Sequence, residues 1–266
     1  QHCRPCAPPV KWSAGTLRTD FGLPRIMSDS PNPITVAFSV LRALRVRKPK
    51  PAGAATVDHA PLGDVLDVLR DTGVGGLGSQ RPKLSAYRAE LEQVDPDDLT
   101  RDESLAYWLN LYNAGALDLA ADASQRLETT VLRVPGAFDR TWATVAGETL
   151  SLNDIEHGKI RRFHDPRIHG ALVCGSASCP TLRYEPYDGE RLDAQLDSQM
   201  RDFLSGGGAV VDGEELKLSR VFLWYGADFV RPTRMPSFFP VGKRAVAAAL
   251  RPWLGPGQTE LRVSFQ

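Results

Sequence analysis

The sequence predicts a single α+β domain, in which a small mixed sheet is flanked by helices. A strong helical pattern spans residues 103–121, where apolar side chains recur every three to four positions. Two segments have the pattern of β-hairpins: residues 141–152 turn at Ala146-Gly147, and residues 209–218 turn at Asp212-Gly213. Residues 55–266 contain no repeat and no clear internal linker, so we assign them to one domain.

Shorter patterns predict the remaining elements. Apolar spacing indicates helices, and apolar or alternating runs indicate strands. We expect helices over 61–70, 84–94, 152–163, 190–204 and 241–254, a glycine-rich loop over 73–83, and strands over 166–174 and 260–265. Ser151 and Asp154 have the spacing of a capping box, which starts the helix over 152–163. The strand over 166–174 is apolar on both faces, which is typical of a strand buried inside a sheet.

Composition excludes several classes of protein. The chain has 266 residues, 42% hydrophobic and 24% charged, enough to bury a sizeable core without disulfides or metals. Its formal net charge is zero, so nothing indicates a nucleic-acid partner. No apolar run approaches the roughly 18 residues of a membrane span. Four cysteines are too few for a disulfide scaffold, and we therefore expect a reducing, cytoplasmic location.

The N-terminal part of the chain is strongly basic. Residues 1–50 hold nine Lys or Arg and two Asp, and we interpret residues 1–54 as a flexible basic arm and linker. Residues 1–26 precede the first methionine, Met27. They could be a native upstream segment, or they could be non-native sequence. Residues 34–47 have the pattern of a basic amphipathic helix, which could bind a membrane surface weakly, could contact another partner, or could be a solvated tail.

The chemically versatile side chains of the domain are concentrated in a short stretch. His157, His169, Cys174 and Cys179 lie within 23 positions of one another. A cysteine near a histidine can act as a nucleophile, with the histidine as its general base. The predicted function is therefore acyl transfer, or hydrolysis of an amide or thioester. Either cysteine is a candidate nucleophile, either histidine a candidate base, and Asn113 a candidate orienting residue.

The segment after the predicted strand would form the rest of this site. Small residues allow a tight turn whose N–H groups can face an anion or an oxyanion. The predicted substrate-binding residues are Asn110, Asn153, Gly175, Ser176 and Ser178. In a regular strand His169 and Cys174 would face opposite sides, because they are five residues apart.

Other interpretations of the same residues stay open. The cluster could bind a small ligand or a peptide without catalysis. His157, His169, Cys174 and Cys179 could form a structural zinc site, although their spacing is not that of a standard finger. Cys174 and Cys179 could close a small disulfide, and the amide of Asn113 could anchor a loop. We expect no cofactor.

Three ordered motifs resemble a known family. They are residues 107–114 (YWLNLYNA), 150–158 (LSLNDIEHG) and 165–180 (DPRIHGALVCGSASCP), with weaker similarity at 224–229 (WYGADF). These segments resemble DUF547, a domain of unknown function found in bacteria and at the C-terminus of some plant proteins. The resemblance covers about residues 80–205. It implies that Asn110, Asn113, Asn153, His157, His169 and Cys174 form one motif set, and it implies no reaction and no known cofactor. Gly170 stands where the family tends to have an aromatic residue, which predicts extra space beside His169.

Overall fold

A computed structural model of the chain describes residues 41–43, 45–128, 130–174, 180–232 and 240–266. Its helices α1 to α8 are Ala60–Thr72, Leu77–Leu91, Arg101–Gln125, Ile168–Ala171, Leu192–Phe203, Arg220–Trp224, Gly226–Val230 and Lys243–Ala249. Its strands β1 to β5 are Thr141–Val145, Glu148–Ser151, Ala209–Asp212, Glu215–Leu218 and Arg262–Phe265. Two wider π-helical stretches cover Asp154–Lys159 and Leu204–Gly208. These elements confirm the predicted α+β class.

The strands form two small sheets. β1 and β2 pair antiparallel, and the second sheet has the order β3-β4-β5, with β3 antiparallel and β5 parallel to β4. Ala146 and Gly147 both have positive φ, at 49° and 77°, which is the geometry that a two-residue hairpin turn requires. Gly213 also has positive φ, at 57°. Both predicted hairpins, and the predicted mixed sheet, are therefore confirmed.

Helix α3 is enclosed by the rest of the domain. It begins where Thr100 Oγ1 accepts a hydrogen bond from the Glu103 N–H at 3.3 Å. Every residue from Glu103 to Leu117 is buried. Apolar spacing predicts one buried face, but the opposite face is buried as well. The indole of Trp142 packs there and donates from Nε1 to the Leu111 carbonyl at 3.0 Å.

The predicted capping box is present. Ser151 Oγ accepts a hydrogen bond from the Asp154 N–H at 3.1 Å, and Asp154 Oδ2 accepts one from the Ser151 N–H at 3.0 Å. The helical turns that follow run to Phe163, as predicted, but they are π-helical and then 3₁₀-helical. Every residue of the π-helical stretch from Asp154 to Lys159 is buried.

The prediction of a buried strand over 166–174 is wrong. Residues Ile168–Ala171 form the one-turn helix α4, and the chain becomes extended only at Leu172. The turn is stabilised at its start, where Asp165 Oδ1 accepts the Arg167 N–H at 2.9 Å. The side-chain alternation of a strand therefore does not apply to His169 and Cys174.

The prediction of a glycine-rich loop over 73–83 is also wrong beyond Gly76. Helix α2 starts at Leu77 and includes Pro82 in its second turn. Leu77, Leu84 and Leu91 are fully buried at a spacing of seven residues, so packing against α3 outweighs the unfavourable glycine and proline.

Part of the expected linker packs against the domain. The N–H of Arg47 donates to Glu148 Oε1 at 2.8 Å, and the N–H of Ala52 donates to the Asp97 carbonyl at 3.0 Å. Gly53 lies so close to the Asp98 carbonyl that a Cβ atom would overlap it. The boundary at residue 54 thus falls inside a packed segment. Of the predicted helix over 34–47, residues 34–40 and Leu44 lie outside the described part.

No helix within the described ranges is both long enough and apolar enough to cross a membrane.

Two glycine substitutions should have opposite effects on stability. A Cβ on Gly115 would lie 2.5 Å from Leu152 Cδ2 and 2.8 Å from the Trp142 ring, so Gly115→Ala should destabilise by roughly 1–3 kcal/mol. A Cβ on Gly78, in α2, would meet only Gln125 Nε2, at 3.8 Å. Gly78→Ala should therefore stabilise by up to about 1 kcal/mol. Urea unfolding measures both, and a stabilising Gly115→Ala would contradict the packing of α3.

Candidate functional site

Two asparagines of α3 hold the loops around the candidate site. The Asn113 amide donates to the Ala171 carbonyl at 3.1 Å and accepts the Val173 N–H at 3.2 Å. The Asn110 amide donates to the Tyr187 carbonyl at 2.8 Å and accepts the Tyr187 N–H at 2.9 Å. Each side chain therefore anchors a loop, which is one of the two roles considered for Asn113.

A buried ion pair organises the chemistry next to these loops. The Arg161 guanidinium donates to Asp228 through Nε at 2.7 Å and through Nη2 at 2.9 Å. The Arg161 side chain is 0% exposed, so it makes this two-point contact shielded from water. Burial alone would raise the pKa of Asp228. The hydrogen bonds from His169 and Arg161 outweigh that effect and hold the pKa well below its usual range. Asp228 is therefore a carboxylate.

The same carboxylate orients His169. Nε2 of His169 lies 2.9 Å from Asp228 Oδ2, the ring stacks on Tyr225 with centroids 4.1 Å apart, and Phe229 lies against it at 5.8 Å. Because a carboxylate accepts hydrogen bonds, we assign the proton of the neutral ring to Nε2. Nδ1 then carries the lone pair, and no described residue hydrogen-bonds to it.

The space that Gly170 leaves beside His169 is filled by Met200. Gly170 was expected to widen it, but a Cβ there would lie 2.6 Å from Met200 Sδ, and Met200 is fully buried. The missing side chain at Gly170 therefore allows α5 to approach α4 closely, and it leaves no open space.

His157 lies on the other side of Arg161. Its Nδ1 is 3.4 Å from Arg161 Nη1 and 3.5 Å from Glu156 Oε1. Burial lowers the pKa of His157 to about 4, and the Glu156 carboxylate opposes the shift without reversing it. His157 is thus neutral at pH 7.

Glu156 is a buried carboxylate satisfied by two phenols. The Tyr112 hydroxyl donates to Glu156 Oε2 at 3.2 Å, and Tyr225 also hydrogen-bonds this side chain. Burial raises the pKa of Glu156, but the charge that His157 carries at low pH, the Tyr225 hydrogen bond and Arg161 together lower it below its usual value. The carboxylate therefore stays ionised inside the domain.

Sequence reasoning missed several members of this cluster: Tyr112, Glu156, Arg161, Tyr225 and Asp228. Tyr112 and Glu156 lie inside the first two motifs. Tyr225 and Asp228 belong to the weaker fourth segment, residues 224–229, which could have pointed to them. Asn153 lies elsewhere: its Nδ2 donates to Asp139 Oδ1 at 3.0 Å, and no described contact joins it to His169 or Asp228.

Cys174 is half-buried and disulfide-bonded. A sulfur in a disulfide is neither a thiolate nucleophile nor a metal ligand, so both roles require its reduction. Gly175, Ser176, Ser178 and Cys179 lie outside the described part of the chain. Within that part, no three His, Cys, Asp or Glu side chains are arranged to hold a metal ion.

Acid should destabilise the protein through its buried histidines. Burial lowers the pKa of both His157 and His59 to about 4, against 6.5 for the unfolded chain. Between these values the unfolded state binds more protons, so stability is lost as pH falls below 6.5. Urea unfolding should show a loss of roughly 1 kcal/mol per histidine between pH 7 and 5.5. His59→Gln should weaken this pH dependence, and a slope equal to that of the unsubstituted protein would contradict the assignment.

Removing the Asp228 charge should be far more costly than removing a surface charge. Asp228→Asn removes the negative charge that pairs with the buried Arg161 through two hydrogen bonds, and breaking such a buried pair costs about 3–5 kcal/mol. In Asp212→Asn, the matched control, an exposed pair with Lys217 is lost and stability should stay essentially unchanged. Thermal unfolding of the two variants compares them directly, and similar melting temperatures would show that Arg161 does not depend on Asp228.

Comparison with known proteins agrees with the motifs. No curated protein and no solved structure matches the chain. Residues 96–204 match the family described as "Protein of unknown function, DUF547", and this match confirms the resemblance of the three motifs to that family.

Proposed function

We propose that the protein is a hydrolase or acyltransferase of amides or thioesters, with His169 as general base and reduced Cys174 as nucleophile. The observation that carries the proposal is the 2.9 Å contact between His169 Nε2 and Asp228 Oδ2. It fixes the ring and leaves Nδ1 without a partner among the described residues. A histidine oriented by a carboxylate is the usual activating group of a thiol nucleophile.

The chemistry would follow from this arrangement. Nδ1 of His169 takes the proton of the Cys174 thiol, and Asp228 stabilises the imidazolium that forms. The thiolate attacks the acyl carbon, and the N–H groups of Gly175, Ser176 or Ser178 stabilise the oxyanion. The leaving group takes the proton from His169 as it departs. Water, or another acceptor, then gives its proton to His169 and attacks the acyl carbon of the thioester. The carbon–sulfur bond breaks, the acyl product leaves, and the Cys174 sulfur takes the proton from His169 to regenerate the thiol.

His169 is preferred over His157 as the base. Burial lowers the pKa of His157 to about 4, which makes its ring a weak acceptor for the proton of a thiol, whose ordinary pKa is about 8.5. Its Nδ1 also faces Arg161 at 3.4 Å. We therefore assign His157 a positioning role for Arg161, which in turn holds Asp228.

The disulfide makes this function redox-dependent. The bridged form would be inactive, and two-electron reduction by a thiol would release Cys174. The alternative function is a non-catalytic binding module for a small ligand or peptide. It is favoured by the disulfide at Cys174, which withholds the thiol that catalysis needs.

The test is acyl transfer to the reduced protein. After reduction, p-nitrophenyl acetate should give a burst of nitrophenolate of about one equivalent, and peptide mass analysis should find the acetyl group on Cys174. Iodoacetamide should still alkylate Cys174 well below pH 8.5. Cys3 and Cys6 serve as the comparison, because they are expected to have the ordinary thiol pKa of about 8.5. His169→Gln should abolish the burst and return Cys174 to ordinary reactivity.

His59→Gln is the matched control, since it removes a buried histidine outside the cluster and should leave the burst intact. Circular dichroism verifies that both variants are folded. A burst that survives in His169→Gln, or a Cys174 no more reactive than Cys3, would overturn the catalytic function. Silence of the reduced protein toward ester and alkylating agent alike would favour the binding module.

A further inference from the structure

A cavity of about 410 Å³ lies on the domain away from the His169 cluster, between the start of α1, the first turn of α3 and residues 186–191. Its charged lining residues are Asp58, Glu103, Asp188, Glu190 and Arg191, and His59 also lines it. The size is within the range of small-ligand sites. Glu103 and Asn113 lie ten residues apart on α3, which is about 15 Å along the helix.

The walls of this cavity are held by α3. Glu103 Oε1 accepts the Val57 N–H at 3.0 Å, and Oε2 accepts the Gly189 N–H at 2.9 Å, so one carboxylate joins two walls. Gly189 approaches Glu103 so closely that a Cβ atom would overlap it. Asn110 fixes the neighbouring Tyr187 backbone. The cavity is therefore formed in advance of any ligand.

His59 presents an unsatisfied nitrogen at this site. Its Nδ1 lies 2.6 Å from the Tyr87 hydroxyl, which is outside the cavity lining. The opposite edge of the ring is turned toward Glu103, where Nε2 has no hydrogen-bond partner and lies 3.6 Å from Oε1. His59 is only 8% exposed, and burial lowers its pKa to about 4, so the ring is neutral. A buried nitrogen without a partner costs free energy until a ligand supplies one.

The lining is strongly acidic. Asp58, Glu103, Asp188 and Glu190 contribute four carboxylates, while Arg191 is the one cation of the lining. The Arg191 guanidinium is engaged by Asp188 at 3.4 Å and by Glu185 at 3.3 Å. The complementary ligand is thus a cation. A bare metal ion is disfavoured, because the described residues contain no group of three ligating side chains arranged for one.

We propose that this cavity binds a small organic cation, a guanidinium or primary ammonium group on a short apolar stem. One N–H of the ligand reaches Glu103 Oε1, and another reaches the His59 Nε2 lone pair. His59 Nδ1–H then donates to the Tyr87 hydroxyl, which the 2.6 Å contact allows. Asp58 and Asp188 balance the ligand charge. The proposal does not depend on the chemistry assigned to His169.

Calorimetric titration of the full chain tests it. n-Butylguanidinium should bind saturably with a Kd below about 1 mM, and the neutral n-butylurea of similar shape should not. Asp58→Asn combined with Asp188→Asn should weaken binding at least tenfold. Both substitutions keep the Oδ1 acceptors, which take the Ala60 N–H at 2.8 Å and the Glu190 N–H at 2.9 Å.

Asp67→Asn combined with Asp71→Asn is the matched control. It also removes two negative charges, but from exposed positions of α1 outside the cavity lining, and it should leave binding unchanged. Absence of saturable heat with n-butylguanidinium would overturn the proposal. Equal binding of n-butylurea, or an equal loss in the two double variants, would also overturn it, because recognition would then not depend on the cavity carboxylates.

Discussion

The enclosure of α3 is the constraint on which the rest of the structure depends. A helix buried on all sides must satisfy its polar side chains inside the protein, because water cannot reach them. Glu103, Asn110 and Asn113 meet this requirement by hydrogen-bonding to the backbone of surrounding loops. The polar groups of one helix therefore determine where residues 57, 171–173 and 187–189 lie. Both the His169 cluster and the acidic cavity are bordered by these loops.

The second organising feature is the buried charge around Arg161. Removing a guanidinium and two carboxylates from water is costly, so each group must be paired and hydrogen-bonded where it lies. Asp228 receives two bonds from Arg161 and one from His169, while Glu156 receives those of Tyr112 and Tyr225. Such a network contributes little net stability compared with an apolar core. What the network does fix is the orientation of the His169 ring, through its contact with Asp228.

Two glycines let side chains approach the backbone closely, and this supports both the enclosure of α3 and the buried charges around Arg161. Gly115 allows Trp142 to lie against α3, and Gly170 allows Met200 to lie against α4. Each glycine removes a side chain that would hold two elements apart. Without the second approach, α4 and His169 could not lie against α5 in the observed way. The close packing at these glycines therefore contributes to the geometry of the candidate site.

The sequence by itself determined the class of fold, the helix at 103–121, both hairpins, the capping box of Ser151 and the motif set containing His157 and His169. The fold class, the helix, the hairpins and the capping box depend on local periodicity or on turn and cap chemistry, which neighbouring residues specify, whereas the motif set rests on the resemblance to DUF547. Only the tertiary structure decided that 168–171 is helical, that Pro82 lies within a helix, and that Asp228 reaches His169 from 59 residues away. It also decided that Asn110 and Asn113 anchor loops. These outcomes depend on contacts between distant segments, whose packing free energy exceeds the local preferences that a sequence pattern reveals.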